Sequence, residues 1–343
     1  MSLARAIETG DLAELPSRRD EDWRWTDLRG LIREMPAASA TGDPTQLGIG
    51  PWACATERVF LNGRPLNGQE IAFRKGDHHP LALRFVSQTD GTAHSAAVKI
   101  VVEPHAQATI FESYEGQGVG YVAAARLSIR IEEGAWVDRY VLADDAADAV
   151  STSIADVELG PGCVFRQFTI TSGGRRQRLE TRVAHPGADS SVRLDSVYVL
   201  QNQRHADLTT VVTHSGAYGL TNQLTKGVVR DQGRGVFQGR IVVRPGADKT
   251  DARMGHHALV LSDRAEVDAK PELEIFADDV ACAHGNTVGA LDEEALFYAE
   301  QRGIPEDAAK AMLTEAFVGE VVDRIEHEGA REVVRAWVAE RLQ

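Results

Sequence analysis

Between about Ala96 and Gly289, apolar and polar residues alternate in short runs, and this period of two is the strongest pattern in the chain. In RLSIRIEEGA, Leu127, Ile129 and Ile131 fall on one face of an extended strand, and Ser128, Arg130 and Glu132 fall on the other. Glycine turns punctuate the runs at Gly134, Gly162, Gly187, Gly216 and Gly246, at intervals of 28, 25, 29 and 30 residues. A beat of that length, carrying strands and turns only, predicts a solenoid in which each coil stacks on the last. A β-sandwich, the structural alternative, would place turn signals every ~8–12 residues without a longer beat. No helix-length pattern interrupts the region, which argues against an α/β fold.

The flanks read differently. The first fifty residues look helical and irregular, with MSLARAIETGDLAEL as a short amphipathic helix and LPSRRDEDWRWTDLRGLIREMP as the distinctive run. In VFLNGRPLNG, Asn62-Gly63 between two apolar runs signals a tight hairpin. Near the other end, LDEEALFYAEQRGI predicts a helix capped by Asp292, with Glu293 and Glu294 at the positive end of its dipole and Gly303 as its stop. Pro305 opens a second helical run in which Leu313, Phe317, Val321 and Ile325 recur every four residues. A third run, AREVVRAWVAERL, sets Val334, Trp337 and Val338 on one face. These helices are expected to cap the open edge of the solenoid, to dock a partner, or both. The expected division is 1–95 helical and irregular with a hairpin, 96–289 β-solenoid core, and 290–343 C-terminal helical domain.

Composition narrows the function classes. The 343 residues are 43% hydrophobic and 26% charged, the balance of an ordinary globular protein. With 37 basic and 51 acidic residues the formal net charge is −14, which disfavours nucleic acid or an anionic membrane as the main partner. No stretch approaches the roughly 18 apolar residues of a membrane span, and the opening residues lack an apolar signal-peptide core. The three cysteines, Cys54, Cys163 and Cys282, are an odd and scattered set, so no disulfide framework is expected and the reading is cytoplasmic.

Most catalytic motifs are missing. There is no P-loop, so no nucleotide bound in that manner, and no H-E-x-x-H or G-x-S-x-G. The pairs His78-His79 and His256-His257 are poor chelates, because neighbours in a strand face opposite sides; exposed or capping roles are expected. Asp278-Asp279 reads as the end of a strand at a solvated turn. One pair remains. In ADDVACAHGNTVG, Cys282 and His284 stand two residues apart, which in a strand puts both on one face at about 7 Å. They could be metal ligands, a nucleophile with its base, or plain packing, with Cys282 a buried small hydrophobe and His284 a hydrogen-bonded turn residue. A complete iron–sulfur site usually needs about four protein ligands, and no C-x-x-C occurs, so a cluster at this pair would have to be shared with another chain.

The region from Val236 to Ile304 resembles the signature of the SufB/SufD family, scaffolds of the Suf iron–sulfur cluster assembly system. The matching elements are F-x-G-x-I at Phe237 to Ile241, Lys249-Thr250, P-E-L-E-I at Pro271 to Ile275, A-D-D-V at Ala277 to Val280, His284-Gly285, Val288-Gly289, and the LFY and RG of the first C-terminal helix. LPSRRDEDWRWTDL is similar to the family's E-D-W-x-x-T motif. Within the family SufD fits better than SufB, since the chain is short and lacks an N-terminal cysteine-rich motif. The resemblance implies a right-handed parallel β-helix with N- and C-terminal helical parts, and a heterodimer with SufB. It implies further that the C-terminal helices, about 290–343, hold one SufC ATPase, which supplies the nucleotide chemistry. His284 matches the SufD histidine implicated in a nascent cluster at the SufB–SufD interface, and Cys282 matches a cysteine found two residues before it in some members. On this reading the protein is a non-enzymatic scaffold, and both residues are candidate ligands to a transient cluster shared with SufB. A reduced flavin visiting the complex would leave no motif in this sequence. A homodimeric scaffold acting without SufB is the alternative. A β-helix carbohydrate enzyme fits less well, given 6% aromatic residues and no secretion signal.

Overall fold

The period-two runs fold as a parallel β-solenoid of about eight coils, mainly β, with helices at the C-terminal end. The computed structural model describes residues 1–342 apart from Ala53, Ala55 and His78, so the His78 half of the first histidine pair lies outside the described residues. Among these residues the strands form a ten-stranded and an eight-stranded sheet, and successive strands of the solenoid alternate between them. Ladder partners one coil apart, such as Val164 with Ser191, Ser191 with Leu220, Leu220 with Asp251 and Asp251 with Ala281, are 27 to 31 residues apart in sequence. That step is the glycine beat in spatial form. Gly134, Gly162, Gly187 and Gly246 turn with positive φ; Gly216 does not, and its turn instead places Tyr218 in the left-handed region at φ 61°.

Alternation sorts each strand into an inward and an outward row. Leu127, Ile129 and Ile131 point into the main core, which runs through most of the solenoid, and a separate cluster around Phe237, Ile241 and Met254 fills its last coils. Stacking in register lines like groups up one coil apart, as in Phe60, Phe85 and Tyr114, whose ring centroids are 5.2 and 4.9 Å apart. The parallel ladder starts upstream of the texture change at Ala96: Thr56–Leu61 pairs with Leu81–Ser87 in register. The Asn62-Gly63 hairpin forms as the dipeptide requires, with both residues at positive φ and Leu61 paired to Arg64.

The outward rows are apolar where something covers them. The N-terminal helix α1, Leu3–Thr9, together with Leu15, Trp23, Leu28 and Ile32, packs on Ala93, Val122, Ala124 and Val150 of the eight-stranded sheet. The C-terminal helices are α2, Glu293–Gln301, α3, Glu306–Val322, and α4, Glu328–Leu342. Asp292 caps α2 by accepting from the backbone of Glu294 and Ala295, and Gly303 ends the segment at φ 84°. On α3 the buried stripe runs through Thr314, Val318, Val321 and Val322, while Leu313 and Phe317 sit half-buried at its edge. With Val334, Trp337 and Val338 of α4, this stripe covers Phe168, Val197, Val199, Leu224 and Val228 on the outer face of the ten-stranded sheet. Capping of the solenoid's end by these helices, one of the two expectations above, is therefore corrected. They lie along its flank, because that is where uncovered apolar side chains demand them. No helix among the described residues is long and apolar enough to cross a membrane.

Candidate functional site

Leaving the end uncovered exposes the last coil. Strand Glu266–Ile275 terminates the eight-stranded sheet and strand Ala281–Gly289 terminates the ten-stranded one, each with a single ladder neighbour. Their outer backbone edges are unpaired among the described residues, the arrangement that recruits another strand or chain. Val288, Ile275 and Phe276 are exposed there, Phe276 by 60%.

Cys282 and His284 both lie on Ala281–Gly289, in register with Ala252 and Met254 of the neighbouring strand. Ala252, Met254, His256 and Ala258 are the buried, inward row of Asp251–Val260. Cys282, His284, Asn286 and Val288 therefore continue that row into the open mouth of the solenoid. His284 is exposed; Cys282 is half-buried, packed on the cluster formed by Phe237, Ile241, Ala252 and Met254. Its thiol is free, and burial, helped by the negative charge of Asp251, pushes its pKa up from the ordinary cysteine value. A cysteine ligates as thiolate. The strand thus presents an accessible imidazole on the same face as a thiol that burial disfavours from ionising. Among the described residues no three His, Cys, Asp or Glu side chains are grouped to hold a metal.

The floor beneath the pair explains several of the signature residues. Phe237 stacks face to face on His256, centroids 4.6 Å apart and planes 3° apart. The other edge of His256 is tied down by Asn286, whose Oδ1 lies 2.6 Å from Nδ1, and by the Tyr198 hydroxyl 2.9 Å from Nε2. Burial lowers the His256 pKa to about 4, so the ring is neutral and serves as a hydrogen-bonded spacer. This corrects the exposed or capping role expected for it. His257 does point the other way, as strand alternation requires, toward Thr287 at 2.7 Å. Gly239 is small for a reason: a Cβ there would stand 2.1 Å from the Met254 sulfur, and Met254 is the register neighbour of His284. Sequence reasoning passed over Tyr198, Met254 and Asn286; only the spacing of F-x-G-x-I and the second histidine pair pointed toward this floor.

The loop between the two terminal strands is also held. The Asp279 carboxylate pairs with Lys249 of the turn one coil earlier, and that turn is itself closed by Thr250, which donates to the Ala247 carbonyl at 2.7 Å. The turn role read for Asp278-Asp279 agrees with this placement. In P-E-L-E-I, Pro271 sits on an edge strand, where a missing N–H costs least, and Glu272 reaches Arg240 at 3.0 Å. Cys163 is buried with its thiol on the Glu132 carbonyl, and Cys54 donates to the Pro80 carbonyl; neither joins Cys282.

The N-terminal motif has a structural use. Arg178, fully buried, lies 4.3 Å over the Trp23 ring and bonds Glu180 and Asp207 at 2.9 and 2.8 Å. The Thr26 hydroxyl donates to the same Asp207 carboxylate, and His205 reaches the Trp25 carbonyl. The motif is a clamp that fastens the N-terminal segment to the eight-stranded sheet.

Comparison with known proteins places the chain in a family. The family described as SUF system FeS cluster assembly, SufBD core domain, matches residues 85–317. The iron–sulfur cluster assembly protein SufD of Escherichia coli is 29% identical over 99% of this chain and 91% of its own. An iron–sulfur cluster assembly SufBD family protein of Mycobacterium tuberculosis is 28% identical over 97% of this chain and 91% of its own. A third relative, a SufBD family protein of Synechocystis, is 28% identical over 72% of this chain and 57% of its own.

Proposed function

The chain belongs to the SufBD family of the SUF iron–sulfur cluster assembly system, and from that premise we propose that it is a SufD-like scaffold whose open solenoid end meets a SufB-type partner and lends ligands to a cluster built between them. One observation carries the proposal. His284 and Cys282 share an inward row at an unpaired strand edge, beside exposed apolar side chains, with no third donor grouped near them among the described residues. Two donors at an unclosed edge are half of a coordination shell, and a partner strand laid on that edge would bring the rest. Neutral imidazole suits iron, and iron binding would itself favour loss of the Cys282 proton. The cluster is the cargo of the complex, and the scaffold acts by placing ligands rather than by turning over a substrate.

The C-terminal helices would hold the SufC ATPase. Helix α2 buries none of its residues, yet it carries Phe297 and Tyr298, which are 62% and 61% exposed, and Met312 of α3 is 56% exposed. An apolar patch of this kind on a helix that packs against α3 fits a protein partner.

The test is His284→Ala in the complex co-expressed with SufB- and SufC-type subunits. The side chain is exposed, so its removal should cost no more than the ~1 kcal/mol typical of point changes. Subunit content should be unchanged, while iron, acid-labile sulfide and cluster absorbance should fall several-fold; Cys282→Ala should be milder. Full cluster content in the His284→Ala complex would refute the ligand role. Purification of the chain as a stable homodimer that excludes SufB would favour the homodimeric scaffold.

A further inference from the structure

The segment RRDEDWRW looks self-neutralising in sequence, but the fold separates its charges. The Asp20 carboxylate accepts from the backbone N–H and hydroxyl of Ser17, Glu21 pairs with Lys270 at 2.7 Å, and Asp22 pairs with Arg240 at 2.8 Å. Arg18 and Arg19 are left exposed with no ion pair among the described residues. The chain then folds back: Pro16 accepts from the backbone of both Leu28 and Arg29, at 3.2 and 3.0 Å, which brings the Arg29–Arg33 stretch beside the Arg18–Arg19 stretch.

Between them lies a cleft of about 660 Å³, lined by Arg18, Arg19, Arg29, Arg33 and, from the start of a solenoid strand, Arg176. One carboxylate, Asp27, faces this set, and its Oδ1 already accepts from the Gly30 N–H. Five arginines against one carboxylate is an uncommon concentration in a protein of net charge −14, although the Arg29 guanidinium is already engaged, donating to the Ala13 carbonyl. Arg176 adds a second sign of an unmet need. Its Nε is buried and has no hydrogen-bond partner among the described residues. Burial above all, with the nearby Arg234 charge, lowers its pKa, and the Asp27 carboxylate offsets part of that.

We propose that this cleft is a binding site for a small multivalent oxyanion, a molecule carrying two or more phosphate or carboxylate groups. Planar guanidinium forks match such groups bidentately, which lysines would not. The volume falls within the ~300–1,000 Å³ of small-molecule sites, large enough for a phosphorylated metabolite rather than a single ion. Arg176 contributes from the start of a solenoid strand, and the exposed Arg18 and Arg19 side chains reach the ligand from the clamp segment. The site lies on the outer side of the N-terminal segment and is independent of the reading given for His284.

Isothermal titration of the full-length chain with inorganic pyrophosphate, with citrate, and with sodium chloride at matched ionic strength tests the proposal. One pyrophosphate or citrate per chain is expected, weakening as salt rises. Tighter pyrophosphate binding would identify a phosphate ligand; tighter citrate binding would identify a polycarboxylate. Affinity should fall at least tenfold in Arg176→Gln. It should fall similarly in the double variant Arg18→Gln, Arg19→Gln, whose exposed positions leave folding intact by circular dichroism. Heats no larger than those of matched sodium chloride, or affinity unchanged in the double variant, would overturn the assignment.

Discussion

Replacing Arg178 by Met tests the clamp that joins the N-terminal motif to the solenoid. The guanidinium is fully buried between Asp207, Glu180 and the Trp23 ring, and it also donates to the Asp22 carbonyl at 2.5 Å. Methionine fills much of the volume but removes the cation. Asp207, itself 0% exposed, then keeps neutral donors from Thr26, Thr209 and Gln238, and Glu180 keeps Arg182. Breaking one partner out of a buried pair typically costs about 3–5 kcal/mol, and the lost cation–π contact accounts for up to about 2 of it. A domain's whole stability is roughly 5–15 kcal/mol, so the effect should be plain in urea unfolding as a lower midpoint at constant slope. A second outcome is local. If docking of the segment is worth less than the penalty, residues 16–35 should detach first, let water reach Asp207, and become open to limited proteolysis. Arg178→Lys should recover only part of the loss, because lysine keeps the charge but not the fork or the flat stacking face. Trp23→Ala should couple to Arg178→Met by at least about 1 kcal/mol in a double-mutant cycle. An unfolding free energy within about 1 kcal/mol of the parent, with no new cleavage in the segment, would show that the clamp is ornamental and the reasoning wrong.

Acid should weaken the solenoid. Burial lowers the pKa of His94, His185 and His256 to about 4 and of His205 and His214 to about 3, whereas an unfolded histidine titrates near 6.5. The unfolded chain therefore takes up protons first, and stability that is complete above pH ~6.5 is lost as pH falls toward 4, on the order of 2 kcal/mol per histidine by pH 5. Asp195, raised to about 6 by burial, acts in the opposite sense between about pH 4 and 6, one group against five. Thermal melts from pH 7.5 to 5 should show a steep fall, made shallower by replacing the stacked pair His185 and His214, centroids 4.2 Å apart, with glutamine; a flat profile would contradict the burial argument. Phe297→Ser with Tyr298→Ser on α2 should leave the melting temperature within a degree or two, since both rings are exposed, while abolishing co-purification with a SufC-type ATPase. Retained co-purification would move the dock elsewhere.

Local chemistry made much of this protein legible from its sequence. Period-two alternation decides which side chains face inward, Asn62-Gly63 decides a hairpin, Asp292 decides where α2 starts, and two residues' separation puts Cys282 and His284 on one face. Each depends on neighbours within a few positions, where covalent geometry and hydrogen-bonding options are nearly complete information. Tertiary structure decided the rest, because it depends on which residues meet from coils about thirty positions apart or from opposite ends of the chain. The helices cover the flank because the outward row of Phe168, Val197, Val199 and Leu224 is apolar, a property no single strand announces. His256 is buried because Tyr198 and Asn286, 58 residues below it and 30 above, align on its ring. The acidic residues after Arg18 and Arg19 leave them without an ion pair among the described residues because Lys270 and Arg240, some 250 and 220 residues away, claim Glu21 and Asp22 first. Charge pairing and burial act through space, and the coil-on-coil stacking of the solenoid brings those distant partners within reach.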